Sequence, residues 1–210
     1  MRRVVVITTC SLKGWNEYGY KMHQSFLKHW RCADLLLYSE DRDVSDLPIP
    51  KWYKEFKIRH HNNADAHGMA SGKYNFRRDC VRFGHKVAAL TDGAFADYDR
   101  VIWCDADVVT DADVEEAEVA RWLPGDKYAS LLLRPGTYPE CGFMVFDRRH
   151  HGHTHFMNEL RRTYETDYVF RLKETHDSFV IWKLLLALGY PIHDLTGKAK
   201  IVNNHPVVVS

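Results

Sequence analysis

VIWCDADVVTDAD, Val101 to Asp113, runs from four residues fit for a buried strand into two aspartates one residue apart, then into further apolar and acidic residues. In an extended segment the side chains at i and i+2 point to the same side, so Asp105 and Asp107 can converge on one hard cation. Ligands of open α/β sheets bind beyond the carboxyl ends of the strands, which is where this pair stands if Val101 to Cys104 is a sheet strand. Mg²⁺ and Mn²⁺ prefer such oxygen ligands and also take phosphate oxygens. A plainer reading makes the acids a loop, with Thr110 or Asp111 capping a helix after it. A cap needs one residue, however, and the pair precedes the cap.

Working outward, VVVITT (Val4 to Thr9) is an unbroken β-branched run, as expected of a strand covered on both faces. Trp15, Tyr18, Met22, Phe26 and Trp30 recur at helical spacing, and DLLLY (Asp34 to Tyr38) follows as a second strand. After SDLPIPKW, Phe56 to Ile58 reads as a weaker strand, and HHNNADAHGMASGK as a mobile polar loop. Phe76, Cys80, Phe83, Val87 and Leu90 mark one face of a helix. Strands are expected at Val101 to Cys104, Ala129 to Leu133, Phe143 to Phe146 and Lys200 to Val202. Helices are expected at His155 to Tyr164 and Ser178 to Leu188. This alternation predicts an α/β fold, one mostly parallel central sheet with helices on both faces, and a single domain over 1–210.

Composition narrows the function. With 210 residues, 45% of them hydrophobic, the chain can bury a sizeable core. Its 29 basic residues against 28 acidic ones give a formal charge of +1, without the basic surplus that a nucleic-acid partner or an anionic membrane would call for. The five cysteines are scattered and never form a CxxC pair, which points to reduced thiols and a cytoplasmic location. No apolar run approaches the ~18 residues of a membrane span. His150, His151, His153 and His155 in RRHHGHTH lack acidic or cysteine companions and are expected to form a surface cluster, not a zinc site.

Taken in order, VVVITT, FRRDCVRFGHKVAAL, YDRVIWCDADVV, ECGFMVFD, HDSFVIWKLL and the late histidine of NNHP resemble the GT-A glycosyltransferases, in particular the retaining group that includes glycogenin and the bacterial galactosyltransferases. The resemblance implies the GT-A (nucleotide-diphospho-sugar transferase) fold. It implies Mn²⁺ (or Mg²⁺) held by Asp105, Asp107 and His205 and bridging the diphosphate of a nucleotide-sugar, a UDP-sugar above all. It implies transfer to the hydroxyl of a glycan, protein or lipid acceptor. Ala106 joins the donor contacts, Lys86 aligns with the basic residue that touches sugar or phosphate, and Arg78 and Arg82 recur beside it on the same helix. Thr8, Thr9 and Cys10 leave the sheet where the family places the nucleoside, with Trp15 or Tyr20 against the base. Asp177 resembles the aspartate that touches the donor sugar, although Ser178 stands where Gln often follows. Glu140 occupies a position where the retaining group commonly has Asn. A carboxylate there suits a general base for an inverting enzyme, so the stereochemical outcome stays open, as does the choice between monomer and dimer.

Two rivals remain. DADVV also fits the nucleophile motif of haloacid-dehalogenase-like phosphatases, but that family opens its fold with the motif and needs a second acidic cluster downstream. A nucleotide- or glycan-binding domain without turnover is the other.

Overall fold

The computed structural model describes 3–41, 44–45, 47–196, 199–202 and 205–208, the last two segments as backbone only. The chain divides into two compact units, Met1–Pro48 with Gly93–His153 and Tyr190–Ser210, and Ile49–Asp92 with Thr154–Gly189.

The first unit is built on a seven-stranded sheet. In chain order its strands are β1 (Val4–Cys10), β2 (Asp34–Ser39), β3 (Leu47–Pro48), β4 (Arg100–Cys104), β5 (Ala129–Leu132), β6 (Glu140–Asp147) and β7 (Ile192–Asp194). They lie side by side as β3-β2-β1-β4-β6-β5-β7. β6 alone runs antiparallel to its neighbours, so the sheet is mostly parallel, as expected. The reversal follows from chain length: a parallel crossover needs about a dozen residues, and the link RPGTYP after Leu133, turning at Gly136 with φ +75°, is a hairpin connection. β8 (Ala199–Val202) and β9 (His205–Val208) form a separate antiparallel hairpin.

Alternate strand residues Val4, Val6, Ile102, Cys104, Phe143 and Val145 face one side. There they pack with Met22, Phe26 and Trp30 and with Val119 and Trp122. These come from two helical elements. One is α1 (Leu12–Gly14) continued through a π-helical turn (Trp15–Gly19) into α2 (Tyr20–His29), and the other is α5 (Glu116–Trp122). The intervening residues Val5, Ile7, Val101 and Phe146 are also fully buried, so both faces of the sheet are closed. The π turn inserts a residue into the helical repeat, which is why Tyr18, expected on the apolar face, stands 40% exposed. α5 begins at neither Thr110 nor Asp111: Glu115 caps it, in a capping box closed by Glu118.

The second unit is helical, with α3 (Lys51–Arg59), α4 (Cys80–Leu90), α6 (His153–Glu165, less its first residue) and α7 (Asp177–Leu188). The strand expected at Phe56 to Ile58 is instead the last part of α3. Pro50 precedes that helix, and Trp52, Tyr53 and Phe56 bury one side of it. α4 starts four residues later than the apolar spacing predicts. Asp79 caps it by accepting the Arg82 amide at 3.0 Å, and Phe76 lies in a separate 3₁₀ turn, 49% exposed.

Close packing between α3 and α4 gives a first expected result. A Cβ added at Gly84 would lie 2.6 Å from Tyr53 Cε2 and 2.8 Å from its hydroxyl oxygen. Tyr53 is fully buried and its hydroxyl donates to the Val81 carbonyl, so the ring cannot step aside. Gly84→Ala should lose about 1–3 kcal/mol of stability. A thermal melt showing the small gain usual for Gly→Ala inside a helix would contradict this packing.

A second expected result concerns acid. His85 is buried with its ring edge against Tyr53 at 5.0 Å, and Nδ1 has no hydrogen-bond partner among the described residues. Burial, helped by the charge of Lys57, pushes its pKa from 6.5 down to about 3. Between those values the unfolded chain binds the proton and the folded one does not. The contribution is therefore whole above pH 6.5 and is lost as pH falls toward 3, by up to about 1.4 kcal/mol per pH unit. Urea midpoints at pH 7 and pH 5 should converge in His85→Leu relative to the parent protein. His153, pushed down to about 4 chiefly by burial, leaves a residual slope. Equal slopes in both proteins would exclude His85.

Candidate functional site

In the first unit the chain leaves β1 for β2 on one side and returns as β4 on the other, which makes the β1/β4 carboxyl ends a topological switch point, the usual binding crevice of such sheets. The acidic pair stands there. Asp105 follows the last residue of β4: its amide donates to the Gly142 carbonyl at 2.8 Å, and its Oδ1 accepts the Trp103 indole N–H at 2.6 Å. Strand and side chain together orient this carboxylate, and Asp107, half-buried, follows two residues on.

The negative field of this end is felt by its neighbours. Burial first, then the charges of Glu40, Asp41 and Asp107, push the Cys10 thiol up to about 12. Burial together with Cys10, Glu40, Asp107 and Glu17 raises the Tyr18 phenol. Asp107 and the exit of β2 therefore share a neighbourhood with Cys10, and Thr9 ties them by donating its hydroxyl to Glu40 Oε1 at 2.7 Å. Glu40 and Asp41 escaped the sequence reading. The signal was available, since both follow directly on an apolar strand, as Asp105 does.

Hard oxygen donors in a concentrated negative field fit Mn²⁺ or Mg²⁺, which complete their shells with water and phosphate oxygens. Among the described residues no group of three or more His, Cys, Asp or Glu is gathered for a metal. His205 opens β9 as backbone; its side chain, like Asn203 and Asn204, lies outside the described residues.

The remaining first-unit candidates are more enclosed than the sequence implied. Thr8 is fully buried, its hydroxyl without a hydrogen-bond partner among the described residues, and Thr9, Cys10 and Ala106 are buried too. Glu140 opens β6 with a structural task of its own: Oε1 accepts the Gly142 amide at 3.1 Å and Oε2 lies 3.1 Å from Arg134. Of the histidine cluster, His153 is not on the surface as expected; it is buried, with Nδ1 3.4 Å from the Tyr128 hydroxyl.

The second unit brings Lys86 and Asp177 together. Lys86 Nζ lies 2.5 Å from Asp177 Oδ2, both side chains are less than a tenth exposed, and Asp177 Oδ1 accepts the Ser178 amide at 2.8 Å. A buried ion pair of this kind is costly to break. Next to it the sequence reading missed Glu174 and His176, also buried, with Glu174 Oε2 2.8 Å from His176 Nε2. The three cations expected along one helix have separate surroundings. Arg82 is exposed near the start of α4, and Lys86 is buried in its middle. Arg78 precedes α4, donating to both oxygens of Asp65 at 3.1 and 2.7 Å and to the carbonyls of Leu172 and Lys173. This makes Arg78 the anchor of the segment read as a mobile loop, which the structure builds from successive turns.

No protein-family model matches the sequence, and no curated protein matches it. Solved structures do. Mouse xyloside xylosyltransferase 1 is similar over 92% of this chain and 84% of its own, with TM-score 0.53 and 13% identity. GlyE, a glycosyltransferase of Streptococcus pneumoniae TIGR4, is similar over 94% of this chain with TM-score 0.54 and 11% identity, and the bifunctional glycosyltransferase WbbM over 95% with TM-score 0.54 and 14% identity. The chain spans 46% of GlyE's length and 40% of WbbM's. At these identities the likeness is one of fold: the α/β, GT-A-like glycosyltransferase architecture expected from the sequence.

Proposed function

We propose that the chain is a metal-dependent glycosyltransferase, a single GT-A domain that moves a sugar from a nucleotide-diphosphate-sugar, a UDP-sugar in the first instance, to an acceptor hydroxyl. The observation that carries this reading is the acidic exit of β4, where Asp105 and Asp107 stand at the switch point of a sheet whose solved likenesses are glycosyltransferases. Cleavage of a glycosyl–diphosphate bond leaves negative charge on the departing group. The ion, when bound, offsets that charge. Asp105 and Asp107 would hold it, with His205 as the third ligand; the Asp105 carboxylate is oriented by the Trp103 indole N–H, which donates to its Oδ1.

Thr8, Thr9, Cys10 and Ala106 are assigned to the wall of the nucleoside pocket, and Lys86, Arg78 and Arg82 to cationic contacts with the donor. Asp177 is assigned to the sugar, and Glu140 to the acceptor as candidate base. For Glu140, inversion of the anomeric centre supports that role, and retention removes it. The five cysteines form no disulfide, in keeping with a cytoplasmic location. No helix among the described residues is long and apolar enough to cross a membrane. Against the phosphatase alternative, the acidic pair follows the fourth strand of the chain and not the first.

The test is a thermal-shift screen of UDP-, GDP- and dTDP-sugars with and without Mn²⁺, followed by nucleotide release from the stabilising sugar. Mn²⁺-dependent stabilisation and release are expected. Stabilisation without release under any acceptor would reduce the protein to a binding domain, and neither response would overturn the reading.

A further inference from the structure

Between β4 and α5 the segment 105–115 belongs to no helix or strand of the sheet, yet it carries the acidic pair. Its first residues are not extended. The Val108 amide donates to the Asp105 carbonyl at 3.0 Å, so Ala106 and Asp107 are the middle residues of a hydrogen-bonded turn. Strand alternation, which by itself would put both carboxylates on one side, therefore does not relate them. The two limbs of the turn do, for as long as both are fixed. The first limb is fixed by the Gly142 carbonyl and the Trp103 indole. The second leaves the turn at Val108, 1% exposed in the core, and reaches Thr110, also buried.

α2 grips this second limb. The Thr110 amide donates to Ser25 Oγ at 3.1 Å, and the Ser25 hydroxyl donates to the Met22 carbonyl at 2.8 Å. The Thr110 hydroxyl accepts the Trp30 indole N–H at 2.8 Å. Trp30 is itself wedged between Phe26 and Trp122, with ring centroids 5.7 and 5.8 Å away and both neighbours buried. Four residues beyond Ser25, His29 Nδ1 lies 2.8 Å from Asp113 Oδ1, and the His29 carbonyl accepts the Val114 amide at 2.9 Å. Val108 and Val114 already anchor the segment by burial. A buried hydrogen-bonded pair can be exchanged for apolar groups of the same shape at little cost in stability, so what Ser25 and Trp30 add is a fixed place for Thr110. Ligands of a metal depend on such outlying support for their geometry.

We infer that Thr110, gripped by Ser25 and Trp30, is the positioning residue of Asp107 and through it sets the affinity for the divalent ion. This rests on the metal role proposed above for the acidic pair. Thr110→Val keeps the shape and loses the hydroxyl, Ser25→Ala loses the acceptor of the Thr110 amide, and Thr110→Ser keeps the hydroxyl. Mn²⁺ affinity is read on the intact chain from the EPR signal of the free ion, with and without UDP and against UDP alone. It should fall about tenfold in Thr110→Val and in Ser25→Ala, and return in Thr110→Ser. In the metal-free protein, hydrogen exchange of the Val108 amide should quicken in the first two variants and not in the third. Gly84→Ala, which lowers stability in the second unit, should leave Mn²⁺ affinity unchanged. Affinity or Val108 exchange at the parent level in both clamp variants overturns this inference alone, as does an equal loss of affinity in Gly84→Ala. A parent protein that binds no Mn²⁺ under either condition sinks the metal reading and this inference with it. The expected losses without nucleotide release would sink the transferase reading alone.

Discussion

Asp105→Asn and Asp107→Asn should each lower Mn²⁺-dependent nucleotide release by about 10²–10³-fold, or about 3–4 kcal/mol of transition-state stabilisation. On the proposed function, each change removes one negative charge from the residues that would hold an ion offsetting charge on the leaving diphosphate. The fold should hardly notice. In Asp105→Asn the side-chain amide keeps an oxygen to accept the Trp103 indole N–H, and position 107 is only half-buried beyond the strand end, so stability should stay within about 0.5 kcal/mol. Rates measured across a Mn²⁺ titration, with melting curves on the same samples, check both halves. Partial recovery at high Mn²⁺ identifies weakened metal affinity. Full activity in both variants with Mn²⁺ limiting would remove the pair from the mechanism.

The largest stability effect is expected at Lys86. Lys86→Met leaves the Asp177 carboxylate, 5% exposed, without its counter-ion, a change that costs about 3–5 kcal/mol. In a chain of this length that is a drop of roughly 10 °C in melting temperature. Because most of the loss comes from the charge left behind, Lys86→Met with Asp177→Leu should recover most of it. Urea midpoints of the two single variants and the double one form the cycle. If the two single losses simply add in the double variant, the residues do not act as a buried pair. The same pair gives Lys86 and Asp177 a structural reason to be present, beside the donor contacts that the resemblance implies.

Glu140 shows why a sequence reading overstates some sites. A glutamate beside a glycine, at the start of an apolar strand, has no visible structural partner in one dimension. In the folded unit Arg134 and the Gly142 amide engage both of its oxygens. Conversely, Glu174 and His176 were passed over because nothing in ETHDS announces burial. They are polar residues in a short link, and only the packing of α4 against α7 and of Phe76 and Phe83 against the imidazole encloses them.

Phe56 illustrates a different limit. A three-residue apolar pattern fits both a strand end and a helix face, and α3 was decided by the burial of Trp52 and Tyr53 with it, which depends on Gly84 admitting the Tyr53 ring.

What the sequence determined by itself is what local periodicity and strand chemistry can carry: buried β-branched runs at β1 and β4, the apolar faces of α2, α4 and α6, and a carboxylate pair at a strand exit. These are properties of residues a few positions apart, set by the repeats of helix and strand. The tertiary structure alone decided the order of the strands and the neighbourhood of Asp107 with Cys10 and Glu40. It also decided the enclosure of Lys86 with Asp177 and the exposure of Phe76, which helical spacing had placed in the core. Burial and charge pairing between residues tens of positions apart depend on which surfaces meet. That is fixed by packing the whole chain, and no short window of sequence contains it.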